Sequence, residues 1–187
     1  MKQVIKLFSH KKIYVLIALW WQCTLVAFSV VYFTPRDDLR TQLITLIQQE
    51  RQSIHCAVYM FTDKKIAQAL VDAHVRGVRV SVVIDQISMG EKYGKGVFLQ
   101  NNGVSVAVFV PKMRFAFASP IMHHKFFVFG YNAEHKKSLI WTGSYNCTQS
   151  ASSLHDENVI VTDDVAVINQ YRECFTMLSE RLQKTNL

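Results

Sequence analysis

A histidine and a lysine stand two positions apart at the start of a dense apolar stretch of the chain. His123 and Lys125 open a run of aromatic and branched residues that extends to Phe129. Such a run is typical of a buried strand, and side chains two apart on a strand point to the same face. The pattern therefore predicts that the imidazole and the ammonium project together, while His124 points the other way. An imidazole is a nucleophile and an ammonium neutralises phosphate oxygens, so this pair suits attack on a phosphodiester.

More polar residues follow the pair at the ends of later predicted elements. Gly143 and Ser144 are predicted to turn the chain from a strand into a helix, whose free N–H groups would face an anion. Asn146 comes next, and Glu157 then opens another apolar run. A helix-capping role alone is the alternative interpretation of Ser144.

This ordered set resembles the signature of the phospholipase D superfamily, which is H-x-K-x(4)-D, then G-S-x-N, then a later glutamate. The matching residues are His123, Lys125, Gly143, Ser144, Asn146 and Glu157. Gly130 stands where the signature has aspartate. The resemblance covers roughly residues 33 to 183. The order of elements and motifs along the chain is similar to that of the small bacterial phospholipase D-like endonucleases and of mitochondrial cardiolipin hydrolase.

The resemblance implies a role for each side chain. His123 would be the nucleophile that forms a covalent phosphohistidine, and Lys125 would bind a nonbridging phosphate oxygen. Ser144 and Asn146 would donate further hydrogen bonds to the phosphate. Glu157 would accept a hydrogen bond from the imidazole and orient the ring. The resemblance implies no metal and no other cofactor.

The motif occurs once, and this implies a homodimer. Two-step phosphodiester chemistry needs a nucleophile and a general acid that protonates the leaving oxygen. Family members with one motif dimerise and place two copies across a twofold axis, which is an isologous contact. The second chain's copy of His123 would then be the acid.

The family's aspartate lies past the end of the strand, so it is interpreted as an anchor of the hairpin. Its replacement by Gly130 is expected to affect stability more than chemistry. A non-specific endonuclease on DNA or RNA is the first alternative function. A non-catalytic phosphate-binding module is the second, and the retained site residues argue against it.

Metal catalysis is a competing interpretation. The available ligands are His123, His124, His135, His155 and Glu157. Neighbouring residues of a strand point to opposite faces, so the first two histidines cannot easily share an ion. The sequence therefore favours chemistry without a metal.

The pattern of apolar residues predicts an α/β domain with a mixed sheet and helices on both faces, which is the phospholipase D-like fold. Predicted strands cover residues 53–61, 78–84, 104–110, 123–129, 139–142 and 159–161. Predicted helices start near residues 37, 63, 97 and 163. The first two strands are joined by a helix that stops at Gly77, and this order predicts parallel pairing.

Residues 1–34 are predicted to be a membrane anchor or a signal peptide, and residues 35–187 the catalytic domain. Residues 13–34 carry no charged side chain, and this segment is long enough to span a bilayer. The lysines before it predict a cytoplasmic N-terminus. Ala27-Phe28-Ser29 is a candidate cleavage site for a signal peptide. In both cases we expect the catalytic domain outside the cytoplasm.

The net charge of the chain does not decide whether the substrate is phospholipid or nucleic acid. Four of the seven net positive charges are lysines within residues 1–12, so the rest of the chain carries only +3. That is modest for a non-specific nucleic-acid binder. The segment 112–117 combines Phe115 and Phe117 with Lys112 and Arg114, which suits a membrane interface or the stacking of bases. The balance favours phospholipid by a small margin.

Overall fold

The described part of the chain, residues 27–90, 92–111 and 119–183 of a computed structural model, forms one mixed sheet between helices. The strands are β1 (Ser29–Phe33), β2 (Ser53–Val58), β3 (Arg79–Asp85), β4 (Ser105–Phe109), β5 (Lys125–Asn132), β6 (Lys137–Gly143) and β7 (Asn158–Thr162). The helices are α1 (Leu39–Gln49), α2 (Lys64–Val75), α3 (Ile87–Gly90), α4 (Gly96–Asn101), α5 (Gln149–Ser153) and α6 (Val165–Gln183). The α/β class and the mixed sheet are confirmed.

The seven strands lie in the order β1-β7-β6-β5-β2-β3-β4. Strands β2, β3 and β4 pair in parallel, as the strand-helix-strand pattern predicts, and all other neighbours are antiparallel. The C-terminal ends of β2 and β6 therefore lie at the same end of the sheet as the N-terminal ends of β5 and β7. All the predicted site residues belong to this end, which we call the site end.

Aspartates start the first two long helices. The Asp38 carboxylate accepts the N–H of Thr41, and the Asp63 carboxylate accepts the N–H groups of Lys65 and Ile66. Each carboxylate satisfies N–H groups that have no partner in the first turn. At the other end of α2, Gly77 adopts a φ of 90°, which only glycine takes without strain.

Each face of the sheet is covered by apolar side chains from a different set of helices. On one face, α1 and α2 pack on alternate strand residues such as Cys56, Phe127 and Trp141. On the other face, α6 packs on the intervening residues, including Phe126 and Val128. Because β5 is buried from both faces, its run of aromatic and branched residues is explained.

The sheet starts earlier than the sequence predicts. Residues 29–33, which the sequence assigns to the N-terminal segment, form β1 at the edge of the sheet. They pair with β7 from Ser29 opposite Thr162 to Phe33 opposite Asn158. Periodicity in this apolar run does not distinguish a strand from a membrane segment, and only the partner strand decides it. Residues 1–26 of the predicted anchor or signal peptide, and the segment 112–118, lie outside the described residues.

Two local predictions at the site end are wrong. The chain enters β5 at Lys125, so His123 lies in the loop before the strand. The helix predicted at Gly143 starts only at Gln149, where the Thr148 hydroxyl caps it by accepting the N–H of Ala151. Between them, Ser144 N–H donates to the Asn158 carbonyl, because the backbone continues beside β7.

None of the helices within the described ranges combines the length and the apolar character needed to cross a bilayer.

Candidate active site

The side chains of His123 and Lys125 meet on the ring of Tyr59, directly after β2. The His123 and Tyr59 ring centroids are 4.7 Å apart, and Lys125 Nζ lies 5.3 Å from the Tyr59 centroid. Lys125 Nζ also donates a hydrogen bond to the His123 carbonyl oxygen at 2.9 Å. The two groups therefore come together on a third residue, not through the alternation of one strand. Sequence reasoning missed Tyr59, because nothing in its local pattern points to a histidine some sixty positions away.

Two hydrogen bonds from distant elements fix the backbone around His123. The Tyr59 N–H donates to the His124 carbonyl at 2.9 Å. The Met122 N–H donates to Asp85 Oδ2 at 3.0 Å, and this carboxylate is 3% exposed. A hydrogen bond to a charged, buried acceptor is stronger than one between neutral groups. Asp85 had one signal in the sequence, which is an acid directly after a buried strand.

The ammonium of Lys125 is half-buried, and its electrostatics link it to Glu157. Burial lowers the pKa of Lys125 from the ordinary lysine value, since desolvation disfavours the charged form. The nearby carboxylate of Glu157 raises the pKa of Lys125, which is the smaller of the two effects. The cation therefore lies at the edge of the core with an anion within electrostatic range.

Asn146 is oriented by the segment that follows β2. Its side-chain Oδ1 accepts the N–H of Met60 at 3.2 Å. The next residue, Cys147, accepts the N–H groups of Thr62 and Asp63 at 2.8 and 2.9 Å through its carbonyl oxygen. The hydrogen bond from Met60 orients the amide, whose NH₂ group can donate to an acceptor.

Ser144 and Glu157 form a pair. The Ser144 hydroxyl donates to Glu157 Oε2, and Ser144 Oγ accepts the N–H of Asn158 at 3.0 Å. The capping-only interpretation of Ser144 is wrong, since no helix starts there. Its predicted contact with phosphate stays a prediction, and in this structure its hydroxyl proton is donated to the carboxylate.

The Glu157 carboxylate is 9% exposed and has a second neighbour in His155, whose Nδ1 lies 3.8 Å from Oε1. The predicted hydrogen bond from His123 to Glu157 also stays a prediction, while Glu157 Oε2 accepts a hydrogen bond from Ser144. Sequence reasoning missed Thr34 as well, which lies after β1 and hydrogen-bonds the backbone of Glu157.

Gly130 has little room for the side chain that the family signature has at this position. A Cβ at this position would lie 2.5 Å from Ser53 Oγ and 3.1 Å from Ser53 N. The buried carboxylate beside it belongs to Glu50, whose Oε1 accepts the N–H groups of Gln52, Ser53 and Tyr131. Glu50 therefore joins the end of α1 to β2 and β5, which is the anchoring role expected of the missing aspartate.

The five residues considered as possible metal ligands include histidines that lie far apart. Within residues 27–90, 92–111 and 119–183, no three His, Cys, Asp or Glu side chains are arranged to hold an ion. His124 lies against Phe126, and His135 lies against Phe28 near the opposite end of β5.

A family model described as the phospholipase D-like domain of cardiolipin synthase matches residues 43–179, which contain every predicted site residue. The chain belongs to the phospholipase D family. The resemblance drawn from the motifs is therefore confirmed.

Curated phospholipase D relatives agree with this assignment. Mitochondrial cardiolipin hydrolase of Xenopus tropicalis is 30% identical over 142 residues, covering 76% of this chain and 61% of that protein. Phospholipase D of Rickettsia bellii is 32% identical over 140 residues, covering 74% of this chain and 63% of that protein. The chain thus spans about three fifths of the length of these relatives.

Solved structures share the fold. Nuc from Salmonella typhimurium, described as a phospholipase D family member, superposes with a TM-score of 0.69 at 24% identity. The match covers 84% of this chain and 96% of that one. NucT from Helicobacter pylori superposes with a TM-score of 0.72 at 20% identity, covering 83% and 97%.

The coupling between Lys125 and Glu157 predicts a shift that NMR can measure. In the wild-type chain, the pKa of Lys125 should lie below the ordinary lysine value of 10.5. Glu157→Gln removes the anion that favours the ammonium, so the pKa of Lys125 should fall further and the cation should be lost at a lower pH. Titration of the lysine side-chain signals, with Lys125→Arg to assign the peak, measures both values.

Glu134→Gln is the matched control for this titration, since Glu134 is exposed in the turn between β5 and β6, away from the site end. An unchanged or higher Lys125 pKa in Glu157→Gln would contradict the electrostatic link.

Proposed function

We propose that this chain is a phosphodiester hydrolase of the phospholipase D type that prefers phospholipid. The observation that carries the proposal is the meeting of His123 and Lys125 on Tyr59, next to an oriented amide at Asn146. Relatives about 30% identical are named cardiolipin hydrolase and phospholipase D, which supports the same chemistry.

In the first step, a ring nitrogen of His123 attacks phosphorus. A P–N bond forms, the P–O bond to the leaving group breaks, and the leaving oxygen takes a proton from a general acid. The Lys125 ammonium neutralises a nonbridging oxygen, and the Asn146 amide NH₂ donates a hydrogen bond to the phosphoryl group. In the second step, water attacks phosphorus, the P–N bond breaks, and the proton of the water returns to the acid.

Covalent chemistry at His123 predicts a trapped intermediate. Wild-type enzyme quenched in base during turnover of a ³²P-labelled phosphodiester should carry label that acid removes, because phosphohistidine is acid-labile. His123→Ala should abolish both the label and turnover, and EDTA should change neither. His135→Ala, a half-buried histidine of the β5–β6 turn, serves as the control. Loss of turnover in EDTA would contradict this mechanism.

The need for a general acid in addition to the nucleophile supports a homodimer. One His123 cannot both hold phosphorus and protonate the leaving oxygen, so a separate general acid is needed, and the second chain's copy of His123 would supply it. An apolar patch that suits self-association borders the site. Val31, Phe33 and Ile160 are 43%, 48% and 36% exposed on one face of β1 and β7. This patch adjoins Asn158, which donates to Ser144.

Shared sites predict that an inactive chain poisons an active one. A fixed amount of wild type is mixed with increasing His123→Ala, dissociated and reassociated, and assayed. If each site needs both histidines, activity should fall with the fraction of mixed dimers, approaching zero at large excess. Excess Thr176→Val chain, altered on the exposed side of α6, is the control and should not inhibit.

Activity that stays constant at all ratios, or full activity of a sedimenting monomer, would contradict the dimer. It would leave His155, near Glu157, as an acid from the same chain.

A cavity beside the site supports phospholipid as the substrate. It has a volume of about 570 Å³, and its apolar wall includes Met60, Tyr93 and Leu154. The other side chains that line it carry hydroxyl, amide or alkyl groups, and none of those described is charged. Met60 connects it to the site, because its N–H binds Asn146.

The rim of the cavity carries positive charge. Lys92 Nζ lies 5.6 Å from the centroid of the Tyr93 ring, and Lys95 Nζ donates to the Tyr93 carbonyl oxygen. An uncharged wall with cations at the rim suits the glycerol and acyl part of an anionic phospholipid more than a polyanion. An N-terminal anchor or signal peptide, with the domain outside the cytoplasm, remains part of this proposal, and a retained anchor would hold the enzyme at a lipid surface.

The cavity predicts a variant that separates lipid from soluble substrates. Tyr93→Ala with Leu154→Ala removes side chains that are 64% and 81% exposed. Burying one such side chain is worth roughly 1.5–3 kcal/mol, so hydrolysis of cardiolipin or phosphatidylcholine vesicles should fall about tenfold or more. A small soluble phosphodiester should be cleaved at the wild-type rate. Val75→Ala, a 78% exposed aliphatic at the far end of α2, is the control.

The same assay includes single-stranded DNA and RNA in chelator. If the wild type degrades nucleic acid and leaves vesicles intact, the endonuclease alternative replaces the lipid proposal. If it binds phosphodiesters and cleaves none, the chain is a phosphate-binding module.

A further inference from the structure

Thr34, which is distant from Glu157 in the sequence, binds the backbone of Glu157 on both its N–H and its carbonyl group. Thr34 Oγ1 accepts the N–H of Glu157 at 2.7 Å and donates to the His155 carbonyl at 2.7 Å. The Thr34 N–H donates to the Glu157 carbonyl at 3.0 Å. Both backbone groups of Glu157 are thus bound by one residue, which follows directly after β1.

The clamped segment belongs to neither a helix nor a strand. Residues 154–157 connect α5 to β7, and the side chains of Leu154, His155 and Asp156 before Glu157 are exposed. Regular secondary structure therefore does not hold Glu157 in place. The Glu157 side chain is nevertheless almost buried and makes a defined contact with Ser144. A side chain can be aimed this closely only if its own backbone is fixed.

We infer that Thr34 is a positioning residue that acts through Glu157, so that strand β1 is part of the catalytic apparatus. This inference rests on the proposed function. Thr34 has no assigned contact with substrate, and its hydroxyl sets where the Glu157 carboxylate stands relative to Ser144 and Lys125. The residue lies in the stretch that the sequence pattern assigned to an anchor or signal peptide.

The hydroxyl is the group that matters in this clamp. Valine has nearly the shape of threonine but neither accepts nor donates, so it leaves the Glu157 N–H and the His155 carbonyl without their partner. Serine keeps both hydrogen bonds and loses only a methyl group. The backbone bond from Thr34 N–H to Glu157 is retained in both variants.

The experiment compares Thr34→Val and Thr34→Ser in the full chain, on the phosphodiester that the wild type cleaves. Small displacements of a positioned group cost about 10- to 100-fold in rate, so kcat of Thr34→Val should fall by about that factor. Its KM should stay within about twofold, since phosphate binding by Lys125 and Asn146 is untouched. Thr34→Ser should have nearly the wild-type kcat. Thr176→Val, which removes a hydroxyl-to-backbone bond in α6, is the matched control.

A double-mutant cycle separates positioning from general stability. If Thr34 acts through Glu157, the Thr34→Val change should have little further effect on kcat in a Glu157→Gln background, measured with enzyme in excess of substrate. Each variant is assayed below its own melting temperature. If Thr34→Val does not fold, Thr34→Ala removes the hydroxyl without the second methyl group and takes its place in the cycle.

The inference would be overturned if Thr34→Val lowered kcat in the Glu157→Gln background by the same factor as in the wild type. It would also be overturned if Thr34→Val lowered the melting temperature and left kcat at the wild-type value. Thr34 would then be a structural residue only. Failure of the proposed function is distinct, because the wild-type chain itself would then cleave no phosphodiester.

Discussion

The site depends on how the doubly buried strand β5 leaves the core. Its backbone is paired with β2 and β6, and its side chains are covered on both faces, so the strand has a fixed position and direction. Where the strand begins, the Lys125 ammonium and the His123 imidazole lie at the boundary between the core and solvent. The buried carboxylate of Asp85 and the backbone of Tyr59 hold this transition through the residues on either side of His123. An ammonium at such a boundary is partly desolvated, which strengthens its attraction for a phosphate oxygen.

The other half of the site is largely irregular backbone, which polar bonds hold together with the buried side chains of Tyr145, Cys147 and Ala151. The connection from β6 to β7 contains Ser144, Asn146 and Glu157 and includes only one short helix. Segments distant in the sequence supply its partners, which are Met60 after β2 and Thr34 after β1. Backbone polar groups near the core need such partners, since an unpaired group costs free energy. The same bonds that satisfy the backbone also orient the site side chains.

The departure from the family signature has a local physical explanation. Gly130 lies against Ser53, so a side chain there would require the Ser53 hydroxyl to turn away and the nearby backbone to shift slightly. The anchoring carboxylate is present nearby as Glu50, which is fully buried and binds three backbone N–H groups. A signature residue can thus be absent while its structural role is kept by an acid from another element. This argues against reading Gly130 as a sign of lost activity.

Much of the molecule was determined by the sequence alone. The alternation and apolar density of its strands, the capping aspartates and Gly77 specified a mixed sheet between helices, because these signals act over a few residues. The spacing of His123, Lys125, Asn146 and Glu157 was enough to assign the family. The tertiary structure decided what no local pattern contains. It placed residues 29–33 in the sheet, brought the imidazole and the ammonium together on the Tyr59 ring, and joined Thr34 to Glu157 across more than a hundred residues. An apolar run has the same sequence pattern in a membrane segment and in an edge strand, and the hydrogen-bond partner of a hydroxyl cannot be identified from its sequence neighbours. The reason is that strand pairing and this hydrogen bond both depend on residues distant in sequence.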